Sequence, residues 1–293
     1  MKISLYFYSI PQYLKCLSVI HEADFIYLPY EYFSTGSTKS KGKMVYMAGP
    51  NDTISYNAEE LSKEKYFMTF PYVLKGNAKD QLYRNLDEYK CYTNSFLLQN
   101  LGDINACKSI CKDKEYRIHA DYSFNVQNSA SMDALYNLGV QSVTLSPELK
   151  TEKLAHLAKH AESDFLVNEK YAEILCYGRL ILMCSEHCYI SDEQGYKCGK
   201  CLKEDEYTLK DKDGNTYPVL ANPTDCRSIM LDRMPLMIKD NLFLEKMRDL
   251  RSCILRLNIY NEDASQVSAL IKYFKYGLPN NEIEKMKPYS GQN

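Results

Sequence analysis

Residues 116–149 read YRIHADYSFNVQNSASMDALYNLGVQSVTLSPEL and contain two short apolar runs separated by a helical pattern. The runs, 116–125 and 142–149, contain the aliphatic and aromatic residues that strands favour. Between them, residues 129–139 carry spaced apolar residues and finish at Gly139, a residue type that commonly ends helices. A strand, a helix and a second strand in this order predict a βαβ unit with parallel strands.

The same alternation of strand and helix runs through most of the chain. Apolar runs that predict strands occur at 3–9, 24–33, 66–74, 91–100, 116–125, 142–149, 164–180 and 253–262. Most of them are apolar along their whole length, which is typical of parallel strands covered on both faces. Eight such units in about 250 residues predict an α/β fold, a TIM-like (β/α)8 barrel. An open doubly wound sheet is the alternative.

Two segments interrupt this alternation, and both follow the carboxyl end of a predicted strand. Residues 34–56 are rich in Gly, Ser and Lys, and residues 184–250 hold a cysteine-rich stretch. In a barrel, the carboxyl ends of the strands form the catalytic face. We therefore predict a single barrel domain over 1–278, which includes 184–250 as a metal-binding excursion, and a flexible tail over 279–293.

The composition is that of a globular protein, and its net charge does not favour the binding of polyanions such as nucleic acids. Apolar residues make up 45% of the 293 residues, charged residues 25%, and the formal net charge is -2. Nucleic acid binding would therefore need a local basic patch. The start of the chain shows no signal pattern, and no window of about 20 consecutive apolar residues occurs, which predicts a cytoplasmic protein without membrane contact. Thiols stay reduced in the cytoplasm, so the 11 cysteines favour metal or catalytic sites over disulfides.

The cysteines are concentrated between residues 176 and 201, where CYGRLILMCSEHCYISDEQGYKCGKC holds five of the eleven. Cys198 and Cys201 form a CxxC pair, Cys188 precedes the pair by ten residues, and Cys226 follows it by 25. Four thiolates can close around one soft metal centre. A structural zinc site usually has two CxxC pairs, so the single pair favours an iron–sulfur cluster over zinc. A stretch without metal is the third alternative.

A catalytic cysteine is another use for these thiols, with a histidine as its base. His187 adjoins Cys188, although neighbours in sequence do not generally face each other, and His119 lies on a predicted strand. The sequence shows no specific protease signature and no GxSxG, HExxH, P-loop or GxGxxG motif. The cysteines inside predicted elements are expected to be buried core residues: Cys16, Cys91, Cys107, Cys111, Cys176 and Cys253.

Polar residues near the predicted strand ends form the candidate ligand site. We assign catalytic roles to Asp121, Glu148 and Arg179, and substrate-binding roles to Asn125, Asn128 and His119. An acid, an amide and a guanidinium on one rim suit a polar, anionic ligand. Structural roles are the alternatives. Asn128 would then cap a helix, and Arg179 would form an ion pair with Glu148 or Asp121.

Several motifs together resemble a known family. They are ADYSFNVQNS (120–129) with LGVQSVTLSPEL (138–149), CYGRLILMCSEHC (176–188), YTLKDKDGNTYPV (207–219) with DCRSIM (225–230), and RLNIYNED (256–263). In this order, over roughly residues 66–275, the chain resembles the collagenase-like peptidases of unassigned catalytic type, peptidase family U32. The resemblance implies a TIM-like barrel and, as in several members, a four-iron four-sulfur cluster. By motif position, the resemblance implies the ligands Cys188, Cys198, Cys201 and Cys226. Ile181 stands where some members have a further cysteine.

The resemblance implies more than one kind of activity. The family name implies a peptidase, whereas other members resemble enzymes that hydroxylate an RNA base or a small aromatic ring such as a quinone. We expect hydroxylation, because the chain shows no evident nucleophile, base and orienting residue for acyl transfer. A third hypothesis is a non-catalytic barrel subunit of a heterodimer. An RNA substrate would be recognised by a partner subunit, or its phosphates would contact Lys39, Lys41 and Lys43 in the 34–56 segment.

Overall fold

The structure is a computed structural model, and it describes residues 1–30, 43–47, 53–57, 65–73, 76–89, 93–110, 115–190, 207–222, 227–278 and 281–286. Numbered along the chain, the strands are β1 (Lys2–Phe7), β2 (Phe25–Pro29), β3 (Lys43–Met47), β4 (Thr53–Asn57), β5 (Tyr66–Thr69), β6 (Ser95–Leu98), β7 (Arg117–Ala120), β8 (Ser142–Thr144), β9 (Tyr171–Gly178), β10 (Ile181–Ser185), β11 (Tyr207–Lys210), β12 (Thr216–Asn222), β13 (Arg227–Leu231), β14 (Leu236–Met237) and β15 (Cys253–Ile259). The helices are α1 (Ile10–Lys15), α2 (Gly76–Tyr89), α3 (Leu101–Ile110), α4 (Ser129–Asn137), α5 (Thr151–Asn168), α6 (Asn241–Arg248), α7 (Ala264–Tyr276) and α8 (Asn281–Lys285).

Eight parallel strands close into a barrel. The hydrogen-bonded order around the ring is β1, β2, β5, β6, β7, β8, β9, β15 and back to β1. Each neighbouring pair in this ring is parallel, so the ring has no free edge. The prediction of a TIM-like (β/α)8 barrel is confirmed, and the open doubly wound sheet is excluded.

Side chains along the barrel strands alternate between two buried layers. In β1, Ile3, Leu5 and Phe7 belong to the outer core between strands and helices, whereas Ser4 faces the barrel interior. The apolar part of the interior consists of Phe25, Tyr27, Phe67, Leu97, Tyr171 and Ile254. Because both faces of each strand are buried, the strands read as nearly continuous apolar runs in the sequence.

The helix between β7 and β8 begins and ends where the sequence predicts. Asn128 caps α4, and its side chain accepts a hydrogen bond from the Ser131 N–H group. Gly139 lies just beyond the end of α4 with a φ of +83°. A residue with a Cβ atom rarely adopts this left-handed conformation, so glycine ends the helix at low energetic cost.

The two interruptions contain strands of their own. The strands β3 and β4 form an antiparallel hairpin after β2. After β9, the strands β10, β13, β12 and β11 form an antiparallel sheet in that order, which we call the excursion sheet. Strand β14 then pairs antiparallel with the end of β9, and α6 precedes β15. The excursion predicted over 184–250 therefore contains a sheet and a helix that the sequence pattern did not reveal.

Part of the segment 279–293, predicted to be a flexible tail, packs on the barrel domain. The structure describes residues 281–286 of this segment, in which α8 places Ile283 in the buried core. The Tyr177 hydroxyl lies 3.6 Å from the Met286 Sδ atom. Among the helices that the structure describes, none combines the length and the apolar character needed to cross a membrane.

Candidate functional site

The barrel interior holds a buried ionic network centred on Arg256, which lies in β15 and has no exposed surface. Its Nη1 group donates to Asp121 Oδ1, and its Nη2 group donates to Asp121 Oδ2 at 3.3 Å. Nη1 also lies 3.4 Å from Glu173 Oε2, and Nε donates to Asn258 Oδ1 at 2.8 Å. One guanidinium therefore holds two carboxylates, which is the compensation that buried charges require.

Hydroxyl groups surround one of these carboxylates. Glu173 accepts hydrogen bonds from Ser4 Oγ at 2.6 Å, Tyr27 Oη at 2.7 Å and Thr144 Oγ1 at 2.6 Å. With the guanidinium of Arg256, four donors serve this one side chain. A carboxylate offers about four lone-pair sites, so Glu173 has no remaining capacity for a further strong hydrogen bond.

The other carboxylate is equally well partnered. Asp121 accepts from Gln99 Nε2 at 2.6 Å and from the Tyr122 N–H group at 2.7 Å, in addition to Arg256. The residue is buried directly after β7. A general base must reach the proton that it abstracts, and in this structure the Asp121 oxygens are engaged by protein donors. The contacts are those of a structural ion pair, and the catalytic role assigned to Asp121 stays a prediction.

The sequence interpretation missed Arg256 and Glu173, although a signal was present. Both residues stand in runs, CILRLNI and YAEILCYG, that predict buried strands. A charged residue in a buried strand needs an opposite charge inside the protein. One arginine and one glutamate in such strands therefore indicate an internal ionic network.

His119 lies inside the barrel, next to this network. Its Nδ1 atom is 2.8 Å from Tyr27 Oη, and its ring centroid is 4.1 Å from that of Phe67. Burial lowers the pKa of His119 well below the usual 6.5, and the charges of Arg117 and Lys2 lower it further. The neutral imidazole thus orients the Tyr27 hydroxyl, and the substrate-binding role assigned to His119 stays a prediction.

A chain of hydrogen bonds leads from the network to the barrel mouth. Asn258 Nδ2 donates to Tyr8 Oη at 3.1 Å, and the Tyr8 hydroxyl donates to the carbonyl of Arg179. Gly178, just before Arg179, has a φ of +125°, and a Cβ atom there would lie 2.4 Å from Asn258 Cβ. Glycine therefore lets the end of β9 approach β15 closely, and this approach positions Arg179.

Arg179 has a donor that the described residues do not use. Its Nη1 group donates to the carbonyl of Asp232 at 2.7 Å, and its guanidinium lies 5.4 Å from the ring centroid of Tyr260. The Nε atom is buried and has no acceptor among the described residues. Neither Glu148 nor Asp121, the alternative partners, forms an ion pair with Arg179 in this part of the chain. A buried N–H group without an acceptor suits an anionic oxygen of a ligand.

The other candidate residues lie apart from the network. Glu148 is exposed, and its backbone N–H donates to Ser146 Oγ at 3.4 Å. Asn128 accepts from the Ser131 N–H at 2.9 Å, so the capping alternative is confirmed. Asn125 is exposed and has a left-handed φ of 49°. The catalytic or substrate-binding roles assigned to these three side chains stay predictions.

The excursion sheet crosses the barrel mouth. Its first strand, β10, follows directly after β9. Strand β13 pairs with β10, and its first residue, Arg227, lies where β10 ends. Arg227 Nη1 donates to the carbonyl of Val73, which follows β5. In the ring order, three strands separate β5 from β9 in either direction, so these two strands lie on opposite sides of the barrel. The sheet therefore spans the opening at the carboxyl ends of the strands.

Three strand ends of the excursion sheet meet at the end that carries Cys188. Because neighbouring strands are antiparallel, β10 ends, β12 ends and β13 begins at this same end. Strand β11 begins three residues short of it, where Tyr207 pairs with Val219. The Tyr189 N–H group, next to Cys188, donates to Ser228 Oγ in β13 at 3.2 Å. Asn222 and Arg227, which flank 223–226, therefore lie at the same end of the sheet as Cys188.

Three of the four predicted metal ligands, Cys198, Cys201 and Cys226, lie outside the described residues. The fourth, Cys188, is half-buried. Within the described ranges, no group of three or more His, Cys, Asp or Glu side chains is placed to hold a metal ion. The ligand set therefore stays a prediction, and its support is the meeting of the strand ends beside Cys188.

The described cysteines of the barrel wall and its helices are buried core residues, as predicted. They are Cys16, Cys107, Cys176 and Cys253. Burial raises the pKa of Cys16 to about 11, that of Cys253 to about 12, and that of Cys176 well above its usual value. Thiols that stay protonated at neutral pH are poor nucleophiles and poor metal ligands. Cys91 and Cys111 lie outside the described residues.

The chain is similar to proteins of one known family. The model of peptidase family U32 matches residues 19–273. A solved structure, that of the U32 peptidase Mk0906, aligns over 88% of this chain and 92% of that chain, with a TM-score of 0.42 and 11% sequence identity. No curated protein matches the sequence at a significant level. The family match spans well over half of the chain.

Proposed function

The chain belongs to peptidase family U32, and we propose that within this family it is an iron–sulfur-dependent barrel enzyme that hydroxylates an RNA base or a small aromatic ring. The observation that carries this proposal is the meeting of three strand ends beside Cys188, on a sheet that spans the barrel mouth. Barrel enzymes bind their substrates on this face.

The donor set of the excursion suits an iron–sulfur cluster. Cys188, Cys198, Cys201 and Cys226 would hold it, since soft thiolates select such clusters or zinc. When bound, the cluster would supply electron transfer or Lewis-acid polarisation at the mouth. We place the protein in the cytoplasm, where reduced thiols remain available as ligands. Zinc on the same four thiolates is the alternative.

Arg179 is the residue that we propose to bind an anionic group of the substrate. Its buried Nε group lacks an acceptor in the described part of the chain, while Nη1 is fixed by the Asp232 carbonyl. A guanidinium that is already held in one orientation loses little further entropy when it binds a phosphate or carboxylate. RNA places a phosphate beside every base, so one such contact would position the base for modification.

Peptide hydrolysis is the second candidate, and the contacts of the described residues support it less. Hydrolysis needs a nucleophile or a carboxylate that reaches the substrate. The carboxylates of Asp121 and Glu173 are buried and engaged by several donors each. Burial also raises the pKa of the core thiols, such as Cys253. Neither set offers the accessible nucleophile that hydrolysis requires.

Nucleoside analysis tests the proposed activity. RNA from cells that lack this protein is digested and compared by mass spectrometry with RNA from cells that express the wild-type chain, Cys188→Ala, Arg179→Met or Cys176→Ala. We expect one nucleoside to gain an oxygen atom with the wild-type chain and with Cys176→Ala, because Cys176 is a core residue. The other two variants should yield the unmodified nucleoside. Aromatic metabolites of the same cells are compared in the same way.

Two outcomes would overturn the proposal. If RNA and aromatic metabolites are unchanged while the air-purified chain cleaves peptides, the protein is a peptidase. If Cys188→Ala and Arg179→Met both retain full modification activity together with a partner subunit, this chain is a non-catalytic subunit of a heterodimer.

A further inference from the structure

We infer that Tyr122 is a second substrate-binding residue, whose hydroxyl donates a hydrogen bond to the same phosphate or carboxylate group that contacts Arg179 Nε. The inference rests on the proposed function in one respect, because it takes Arg179 as the residue that binds an anionic group of the substrate. Neither residue is a candidate metal ligand, so this contact needs no bound cluster. The two residues follow the ends of β7 and β9, on the catalytic face of the barrel.

Buried polar groups without partners are concentrated at the mouth of the barrel. In the described part of the chain, four buried side-chain polar atoms lack a hydrogen-bond partner. Three of them lie at the carboxyl end of a barrel strand: Thr69 Oγ1, Tyr122 Oη and Arg179 Nε. The fourth, Ser142 Oγ, lies at the amino end of β8. Because an unsatisfied buried group destabilises the empty protein, this concentration at the catalytic face indicates that a ligand supplies the partners.

The Tyr122 hydroxyl lies where the excursion sheet leaves the barrel, and it keeps its proton. Burial raises the pKa of Tyr122 well above the usual 10, and the neighbouring Tyr8 raises it further. The backbone N–H of Ile181, the first residue of β10, lowers this pKa slightly from close by, although it forms no hydrogen bond with the Tyr122 oxygen. The hydroxyl is therefore a neutral donor at physiological pH.

The buried network inside the barrel positions both donors. The Tyr122 N–H donates to Asp121 Oδ1 at 2.7 Å, and the Tyr122 ring centroid lies 5.8 Å from the Arg256 guanidinium. The same network reaches Arg179 through the chain of hydrogen bonds that ends at its backbone carbonyl. Donors that are already held in place lose little entropy when a ligand binds, so the network favours binding at the mouth.

The positions of the two strands allow both donors to contact one ligand group. In the ring, β8 alone separates β7 from β9. Neighbouring strands lie about 4.8 Å apart, so the ends of β7 and β9 are about 10 Å apart. Long side chains such as tyrosine and arginine reach across this gap. A phosphate or a carboxylate has several oxygen atoms that accept hydrogen bonds at once, so one such group between the two side chains would satisfy both donors.

Binding measurements on the full chain test the shared contact. The probes are a short single-stranded RNA, followed by fluorescence anisotropy, and inorganic phosphate and benzoate, followed by calorimetry and by competition with the RNA. Tyr122→Phe removes only the hydroxyl and should weaken binding by roughly tenfold, the effect of one hydrogen bond to a charged group. The double variant with Arg179→Met should bind only slightly more weakly than Arg179→Met alone, because both donors serve one group. Binding of phosphate assigns that group to a phosphate, and binding of benzoate assigns it to a carboxylate.

The matched control, Tyr136→Phe, separates a binding role from a structural one. The Tyr136 hydroxyl is buried and donates to the carbonyl of Tyr171, at the amino end of β9 and away from the mouth. Tyr136→Phe should therefore bind the probes like the wild type but unfold at a lower urea concentration. Tyr122→Phe loses a hydroxyl that has no partner in the described part of the chain, so it should keep the urea midpoint of the wild type.

Four results would overturn the inference. They are a wild-type chain that binds none of the probes, a Tyr122→Phe variant that binds like the wild type, losses that multiply in the double variant, and a Tyr122→Phe variant that unfolds as easily as Tyr136→Phe. The proposed reaction is judged separately. Weaker binding by Tyr122→Phe in a chain that forms no hydroxylated product counts against that reaction alone.

Discussion

Arg256 lies inside the barrel on β15 and Arg179 lies just beyond the end of the neighbouring strand β9, and the surroundings of the two side chains are opposite. The guanidinium of Arg256 is bound on several sides by Asp121, Glu173 and Asn258, and no part of the residue reaches solvent. The guanidinium of Arg179 is held by one carbonyl, and its buried Nε group has no acceptor among the described residues. The first arginine is fully partnered inside the barrel, and the second carries a buried donor without an acceptor in the described part of the chain.

The comparison separates stabilising polar groups from ligand-binding groups by the completeness of their partners. A buried ionic group with all its hydrogen bonds satisfied inside the protein has nothing left to offer a substrate. A buried donor without an acceptor is costly for the empty protein and becomes favourable when a ligand supplies that acceptor. The four predictions below test whether the two arginines differ in this way.

Replacement of Arg256 by methionine should have the largest effect on stability. The variant leaves the carboxylates of Asp121 and Glu173 buried without a counter-charge, so we expect a loss of about 3–5 kcal/mol in the free energy of unfolding. Urea denaturation of the wild type and Arg256→Met measures this value. A loss below about 1 kcal/mol, the size typical of an exposed ion pair, would show that the network does not stabilise the barrel.

Gly178→Ala should have the next largest effect, because Gly178 joins the two regions. The added Cβ atom would lie 2.4 Å from Asn258 Cβ at a φ of +125°. We expect a loss of about 3 kcal/mol from steric overlap and backbone strain, measured by urea denaturation. Gly214→Ala is the matched control, since its φ is also positive, at +84°, but its nearest contact is 3.7 Å away. Equal losses in both variants would show that the close approach is unimportant.

The pH dependence of stability tests whether His119, beside the interior network, stays unprotonated in the folded chain. Burial lowers the pKa of His119 well below 6.5, so below that pH the unfolded chain binds a proton that the folded chain does not. His119 should therefore lower stability by about 1 kcal/mol per pH unit between pH 6 and 5. His119→Gln should show a correspondingly weaker decline in urea denaturation than the wild type. The exposed His156→Gln is the control, and parallel declines in all three proteins would refute a buried, neutral His119.

Arg179→Met should have the smallest effect on stability and a clear effect on binding. Among the described residues, the variant loses the hydrogen bond to the Asp232 carbonyl and the contact with Tyr260, so the free energy of unfolding should change by about 1 kcal/mol. Binding of a short single-stranded RNA, followed by fluorescence anisotropy, should weaken by roughly tenfold. The exposed Arg233→Met is the matched control. If both variants bind RNA equally well, Arg179 is not the ligand-binding arginine.

The barrel was predictable because a strand with two buried faces leaves a continuous apolar run in the sequence. The same property concealed the network. Every position of β15 is buried, so the sequence shows no alternation of apolar and polar residues that would reveal which side chains face the interior. Arg256 therefore appears in the sequence as a single polar residue in an apolar strand. Its partner Asp121 stands 135 residues away in the chain, and no local pattern links the two.

The excursion was predictable as an interruption but not as a sheet over the mouth. Its strands mix exposed and half-buried positions, as in β10, and therefore lack the continuous apolar character of the barrel strands. One contact between the sheet and the opposite side of the barrel is the hydrogen bond between Arg227 and Val73, which joins residues 154 apart in the chain. The cysteine spacing nevertheless pointed to the end of this sheet at which three strand ends meet.

The iron and sulfide content of the anaerobically purified chain is the measurement to make first, because the assignment of a cluster beside Cys188 depends on it. We expect roughly four irons and four sulfides per chain in the wild type and in Cys176→Ala, whose thiol lies in the buried core. Cys188→Ala should lose both iron and sulfide. A wild-type chain without iron, or a Cys188→Ala variant that keeps its iron, is incompatible with a cluster held over the barrel mouth by these thiols.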